Sequence, residues 1–131
     1  MSELQLVADR WEGTRVNEER KDSPTLEDFD RALSDLDAHT HTMISLKLDE
    51  RSLGIGGGKG QYVVVYDILH PWETWTVVNT NSKEGAIMLT VGGQLGDYPA
   101  KYVINKEEAR QAGVYFLRNG SRDPNLLWER G

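Results

Sequence analysis

Three histidines are the residues best suited to hold a metal ion, but their spacing does not assemble a ligand set. His39 and His41 are two positions apart, so their side chains would share one face of a strand, as some metal ligands do. They precede the strand-forming run at Met43, among threonines, and this context favours a solvated turn. His70 stands apart in a predicted loop tip. We therefore expect no metal site and no bound cofactor.

Nucleophilic and acid–base groups do not form a recognisable site either. The chain has no cysteine, which excludes thiol catalysis, disulfide scaffolds and cysteine zinc sites. Ser34 and Ser45 fall within a predicted helix and a predicted strand, and neither lies in a nucleophile elbow. Most carboxylates lie on the presumed outer face of the first helix, where a charge run is typical of a solvated surface. The sequence therefore predicts no catalytic residue, and we expect the protein not to be an enzyme.

Two glycine-rich segments, 53–62 and 89–98, resemble each other at an offset of 36 residues. A phosphate-binding loop would need serine or threonine after Gly58-Lys59, but glycine follows. The dinucleotide-binding pattern fails as well, because its third glycine position is occupied by Lys59. Nucleotide binding by these segments is therefore not expected.

The repeated glycine pairs are typical of hairpins, in which glycine supplies positions of positive φ. We expect Gly57 or Gly93, or both, to lie where a Cβ atom would be unwelcome. The alternative is a flat glycine surface against which the backbone of a partner packs. Tyr66 and Tyr102 also match at the same offset, which places them at equivalent positions in the two predicted hairpins.

The segment 67–75 joins two predicted strands and contains two tryptophans. Trp75 alternates with Val77, and we expect it to belong to the core. Trp72 follows Pro71 in the loop itself, and an exposed tryptophan beside acidic residues is typical of an interface anchor. The alternative is that Trp72 folds back over its own hairpin.

Hydrophobic periodicity predicts two helices and several short strands. Leu26, Phe29 and Leu33 follow the spacing of one helical face after an N-cap at Thr25, and a second helix begins after Asn105. Short strands separated by glycine and asparagine turns favour antiparallel pairing. The predicted helices are 25–36 and 106–118, and the predicted strands are 4–11, 43–48, 62–66, 75–78, 86–91 and 102–104. A polar segment at 12–23 contains a predicted solvated loop at 17–22, and the C-terminal tail, ending near Trp128, docks or adds an edge strand.

These elements predict one α+β domain over residues 1–131, an antiparallel β-sheet with two helices packed mainly on one face. A chain of 131 residues is typical of a single domain. The residues expected to be mostly core are Leu33, Ile44, Leu46, Val63, Val65, Val77, Leu89, Val91, Ile104 and Phe116.

The charge balance narrows the class of partner. Fifteen basic and 21 acidic residues give a net charge of −6, whereas general nucleic-acid binders are usually basic. No apolar run is long enough to span a membrane, and the N-terminal stretch lacks the pattern of a signal peptide. We therefore expect a cytoplasmic protein that binds neither nucleic acid directly nor a membrane.

The segments 53–66, 91–94 and 98–100 and the Trp75 strand resemble an immunity-protein family of bacterial polymorphic toxin systems. The closing helix and the Arg122-Asp123-Pro124 segment before Leu127-Trp128 resemble the C-terminal end of that family. The resemblance covers residues 53–128. It implies a protein that binds and blocks the C-terminal domain of a cognate toxin encoded beside it, often a nucleic-acid deaminase or nuclease, by occluding its active site. The alternatives are a small-ligand-binding or enzymatic α+β domain, and a structural module of a larger assembly.

The toxin-facing surface is expected to combine acids with aromatic anchors, since an acidic inhibitor is steered to a basic groove. The predicted contact residues lie in the loop after the first hairpin and beside the second glycine turn: Asp67, Trp72, Glu73, Asp97 and Tyr98. The resemblance between the two glycine-rich segments predicts that these two loops lie near each other at one end of the sheet. The rival surface is the outer face of the first helix, with Glu27, Asp30 and Asp37.

Overall fold

The computed structural model describes residues 3–81 and 84–131, and within them the strands form two antiparallel sheets. The larger sheet has the order β2-β1-β3-β4-β5-β6-β9, and the smaller one pairs β7 with β8. The expected α+β class with an antiparallel sheet is confirmed. The strands are β1 (Gln5–Glu12), β2 (Arg15–Asp22), β3 (Met43–Leu48), β4 (Arg51–Gly58), β5 (Gln61–Ile68), β6 (Glu73–Val77), β7 (Ala86–Val91), β8 (Gln94–Pro99) and β9 (Trp128–Arg130), and the helices are α1 (Leu26–Asp35) and α2 (Lys106–Asn119).

Both helices begin at the N-cap residues that the sequence indicates, Thr25 and Asn105. The Thr25 hydroxyl accepts from the Asp28 amide at 3.1 Å, and the Asp28 carboxylate accepts from the Thr25 amide at 2.8 Å, which completes a capping box. Asn105 accepts from the Glu108 amide in the same way at the start of α2. The α2 helix ends at Gly120, which adopts the left-handed conformation.

The two helices cover one face of the large sheet and enclose the main core. Phe29 and Leu33 of α1 and Phe116 of α2 are completely buried in it. Of the ten residues predicted to be core, eight are buried, but Val65 and Val91 are only partly buried. These two lie at the margin of a second cluster on the other face of the sheet, which the small β7–β8 sheet covers only in part.

The predicted solvated loop at 17–22 instead lies within the edge strand β2, which pairs with β1 over its whole length. Every β2 residue is exposed, so no alternation of apolar and polar residues marks it as a strand. Six of its eight residues are charged, a composition that protects an open sheet edge from pairing with other chains.

The predicted strand 102–104 is also wrong. Ala100–Tyr102 form a 3₁₀ turn after Pro99, and the segment contributes one bridge, between Ile104 and Tyr62, before the N-cap of α2. The predicted C-terminal edge strand is confirmed, because β9 pairs with β6.

Both glycine segments form the predicted hairpins, but their turns fall at different glycines. The β4–β5 turn is Lys59-Gly60, so Gly57 lies within β4, whereas the β7–β8 turn is Gly92-Gly93. A Cβ on Gly57 (φ +106°) would collide with the carbonyl of Gln61, and one on Gly93 (φ +80°) would collide with the ring of Trp11. The expectation that a Cβ is unwelcome at these two glycines is confirmed by geometry.

The resemblance between the two glycine-rich segments does not extend to Tyr66 and Tyr102. Tyr66 lies in β5 and is buried in the main core, whereas Tyr102 lies in the 3₁₀ turn and donates to Glu129 of β9 at 2.6 Å. The flat glycine face of β4 is covered within the chain itself, because the side chain of Val91 from β7 fills the space above Gly56. No helix in the described ranges is long and apolar enough to cross a bilayer.

Candidate functional site

The candidate site lies where two connections meet at one end of the large sheet. The β3–β4 turn is Asp49-Glu50, and the β5–β6 loop runs between Ile68 and Glu73. Since Arg51 pairs with Ile68 across antiparallel strands, the two connections emerge side by side. The Leu69 amide donates to the Glu50 carbonyl at 2.9 Å and ties them together.

An open cavity of about 280 Å³ lies between these connections. We name its acidic and apolar residues the acidic–aromatic end: Asp49, Glu50, Asp67, Leu69 and Trp72. Trp72 is 67% exposed and Leu69 is 48% exposed, which is unusual for large apolar side chains on a small soluble domain.

Three carboxylates and two cations line this cavity, which leaves a small net negative charge. The cations are Lys47 and Arg51, and the Arg51 guanidinium donates to the Gly120 carbonyl at 3.0 Å, after the end of α2. Within the part of the chain that the structure describes, no three acidic or histidine side chains converge as metal ligands would. The arrangement therefore offers exposed negative charge beside apolar side chains, which suits binding to a basic protein surface.

The five residues predicted to contact the toxin do not all point the same way. Asp67 and Trp72 line the same cavity. Glu73 follows directly in sequence, but it pairs with Ile68 on the helix-facing side of the sheet and accepts from the Trp75 indole at 3.1 Å. Glu73 therefore helps to orient a partly buried tryptophan next to the site.

Asp97 and Tyr98 lie on β8 and point to opposite faces of the small sheet. Tyr98 is half-buried and packs against the second cluster, together with Val65 of β5. Asp97 is exposed on the outer face, opposite Met88. Val65 is two positions before Asp67 on the same face of β5, so Tyr98 and Asp67 lie on the same side of the large sheet.

Two of the three acids on the rival helix surface are engaged within the chain. Asp30 accepts from Arg110 of α2 at 2.7 Å, and this hydrogen bond lowers the pKa of the carboxyl group. Burial would raise the pKa of Asp37, but backbone amides of residues 39–41 donate to its carboxylate and lower the pKa on balance. Glu27 is exposed.

The structure also identifies contact candidates that the sequence reasoning missed. Asp49, Glu50 and Leu69 join the site only because the strand register brings their two connections together. The histidine pair does not form a site: His39 is exposed, whereas His41 contacts Glu19 of β2 at 3.0 Å. Trp75, predicted to be core, is partly buried beneath the guanidinium of Arg122, 3.8 Å from its ring centroid.

The family model described as immunity protein Imm1 matches residues 3–130, so the match includes the N-terminal strands and α1 as well as the glycine-rich hairpins. No curated protein sequence matches the chain. Because the family model covers almost the entire chain, this protein belongs to the Imm1 family of immunity proteins.

Proposed function

We propose that this immunity protein binds the C-terminal domain of its cognate toxin in the cytoplasm and blocks its active site with the acidic–aromatic end. The toxin is proposed to be a nucleic-acid deaminase or nuclease. One observation carries the proposal: Trp72, 67% exposed, borders a cavity that three carboxylates line. The inhibitor acts by binding, without a catalytic step or a cofactor of its own.

The chemistry of such a toxin explains why this surface suits it. An enzyme that acts on nucleic acid needs a basic groove to bind the phosphate backbone. Carboxylates at Asp49, Glu50 and Asp67 would occupy the places of phosphates, and the Trp72 ring would stack where a base stacks. The net charge of −6 steers the inhibitor toward a basic groove and accelerates association.

The remaining predicted contact residues have two roles in this proposal. Asp97 adds a negative charge on the outer face of the small sheet. Glu73 and Tyr98 contact the toxin only at their exposed edges and mainly hold their surroundings, because Glu73 accepts from the Trp75 indole and Tyr98 packs against the second cluster.

The proposal is tested by titrating the chain into the purified domain of the toxin encoded beside it. We expect one equivalent to abolish the nucleic-acid-modifying activity, and we expect an oligonucleotide substrate to compete with the chain for a catalytically inactive toxin. Association should slow as salt is raised, because exposed charges are screened over about 10 Å at 0.1 M. Full toxin activity at saturating inhibitor would refute inhibition, and a stable ternary complex with substrate would refute active-site occlusion.

A further inference from the structure

The small β7–β8 sheet carries large apolar side chains on both faces. Its inner face places Leu89 and Val91 on the large sheet, as a core requires. Its outer face also carries large apolar side chains, since Met88 is 53% exposed and Leu95 is 66% exposed. An antiparallel strand with one solvated face normally alternates apolar and polar residues, and β7 does not. The outer face is therefore composed as a surface that a partner covers.

Met88 and Leu95 are close enough to act as one patch. Met88 pairs with Asp97 and Thr90 pairs with Leu95, so the two apolar side chains are diagonal neighbours on the outer face. Diagonal neighbours in an antiparallel pair are about 7–8 Å apart. Ala86 and Pro99, which pair with each other, extend the exposed apolar surface beyond Asp97.

A buried hydrogen-bond network holds the hairpin tip against the large sheet. The Gly93 amide donates to the hydroxyl of Thr42, a fully buried residue, at 2.9 Å. The Thr42 hydroxyl in turn bonds to the Asp9 carboxylate, which also accepts from the Thr42 amide at 2.7 Å and the Trp11 indole at 2.8 Å. The outer face is therefore presented in a defined orientation, and binding to it costs little conformational entropy.

Charge distinguishes between two occupants of this face, a second copy of the chain and a basic partner. Asp97 is the only charged residue in β7 and β8, and it lies between Met88 and the Ala86–Pro99 pair. Self-association would bury this carboxylate against a face that offers no cation, which is unfavourable. A partner with an apolar patch next to basic residues would cover Met88 and Leu95 and neutralise Asp97.

We infer that the outer face of β7–β8 is a second contact surface for the toxin. This face covers an apolar patch that lies beside the toxin's basic groove. This inference rests on the proposed function. The small sheet lies on the same side of the large sheet as Asp67, because Tyr98 and Val65 pack against one cluster and Val65 is two positions along β5 from Asp67. The partner's basic groove and its apolar border would then be contacted by two surfaces of one rigid domain.

The test replaces the apolar side chains without changing charge. Met88→Gln with Leu95→Gln should weaken binding of the purified toxin domain at least tenfold, by faster dissociation, because apolar anchors contribute most of their energy at a desolvated contact. The matched control is Val16→Gln with Leu127→Gln, two side chains that are 47% and 55% exposed elsewhere on the surface. The control should bind like the parent, and both variants should keep the parent's melting temperature.

The same binding measurements on Trp72→Ala distinguish a failure of the second contact surface from a failure of the proposed function. If Trp72→Ala weakens binding and the Met88/Leu95 variant does not, the second surface is wrong and the proposed function stands. If the parent does not bind the toxin domain at all, the proposed function fails. If the parent is a dimer in solution and the Met88/Leu95 variant is a monomer, the face belongs to a second copy and the inference is overturned.

Discussion

Charge reversal at the acidic–aromatic end is expected to abolish protection against the toxin. In the variant Glu50→Lys with Asp67→Lys, two carboxylates that we propose to face the toxin's basic groove become cations. Losing a desolvated charge contact costs about 2–5 kcal/mol, which corresponds to a roughly 30-fold to several thousand-fold increase in Kd. The increase is to be measured by calorimetry or biolayer interferometry and compared with survival of cells that express the toxin.

The structure determines which acids are suitable for this variant. Asp49 adopts a positive φ of 56°, so lysine there would strain the turn as well as change the charge. Glu73 accepts from the Trp75 indole, so its reversal would also disturb a partly buried tryptophan. Glu50 is exposed, and its backbone carbonyl accepts from the Leu69 amide. The Glu50 side chain can therefore be changed without losing this hydrogen bond.

A control of equal charge change is available on α1. Glu27→Lys with Asp35→Lys alters two exposed acids and leaves the Asp30–Arg110 ion pair in place. The control should reduce the association rate modestly, in proportion to the weakened steering, and should leave the dissociation rate unchanged. If the α1 variant loses protection and the Glu50/Asp67 variant keeps it, the toxin binds the helix face instead.

Truncation of Phe116 to alanine is expected to lower the free energy of unfolding by about 3–5 kcal/mol. Phe116 is completely buried between α2 and the sheet, and its ring meets that of Tyr66 edge to face with centroids 6.2 Å apart. The expected shift of the urea midpoint, at an unchanged slope, measures the loss. Arg118→Ala, an exposed position on the same helix, should change stability by no more than about 0.5 kcal/mol. A loss below 1 kcal/mol at Phe116 would mean that α2 does not pack as the structure describes.

The helices could be predicted from sequence because their signals are local. Thr25 and Asn105 cap the helices within three residues of their own positions, and the buried residues follow one helical period. β2 could not be predicted in this way, since neither of its faces is buried and only its pairing with β1 makes it a strand. β2 forms because it pairs with β1, and its own residues carry no periodic pattern of apolar side chains.

The candidate site was predictable only in part for a related reason. The sequence indicates Asp67 and Trp72 because a tryptophan stands beside acids in a loop. Asp49 and Glu50 join them through strand register, and Glu73 points away from Asp67 through strand alternation. The resemblance between the two glycine-rich segments likewise predicts two hairpins but not the positions of their turns. A glycine in a turn and a glycine beneath a covering side chain look alike in sequence.

Amide hydrogen exchange of the chain, alone and bound to the toxin domain, tests most directly whether the acidic–aromatic end is the toxin-binding surface. Amides in exposed connections exchange rapidly in a free protein, and burial by a partner slows them. We expect strong protection at residues 49, 50, 70 and 72 in the complex, with α1 unchanged. Protection confined to α1 or to the β2 edge, with both connections exchanging as in the free protein, would contradict the proposed interface.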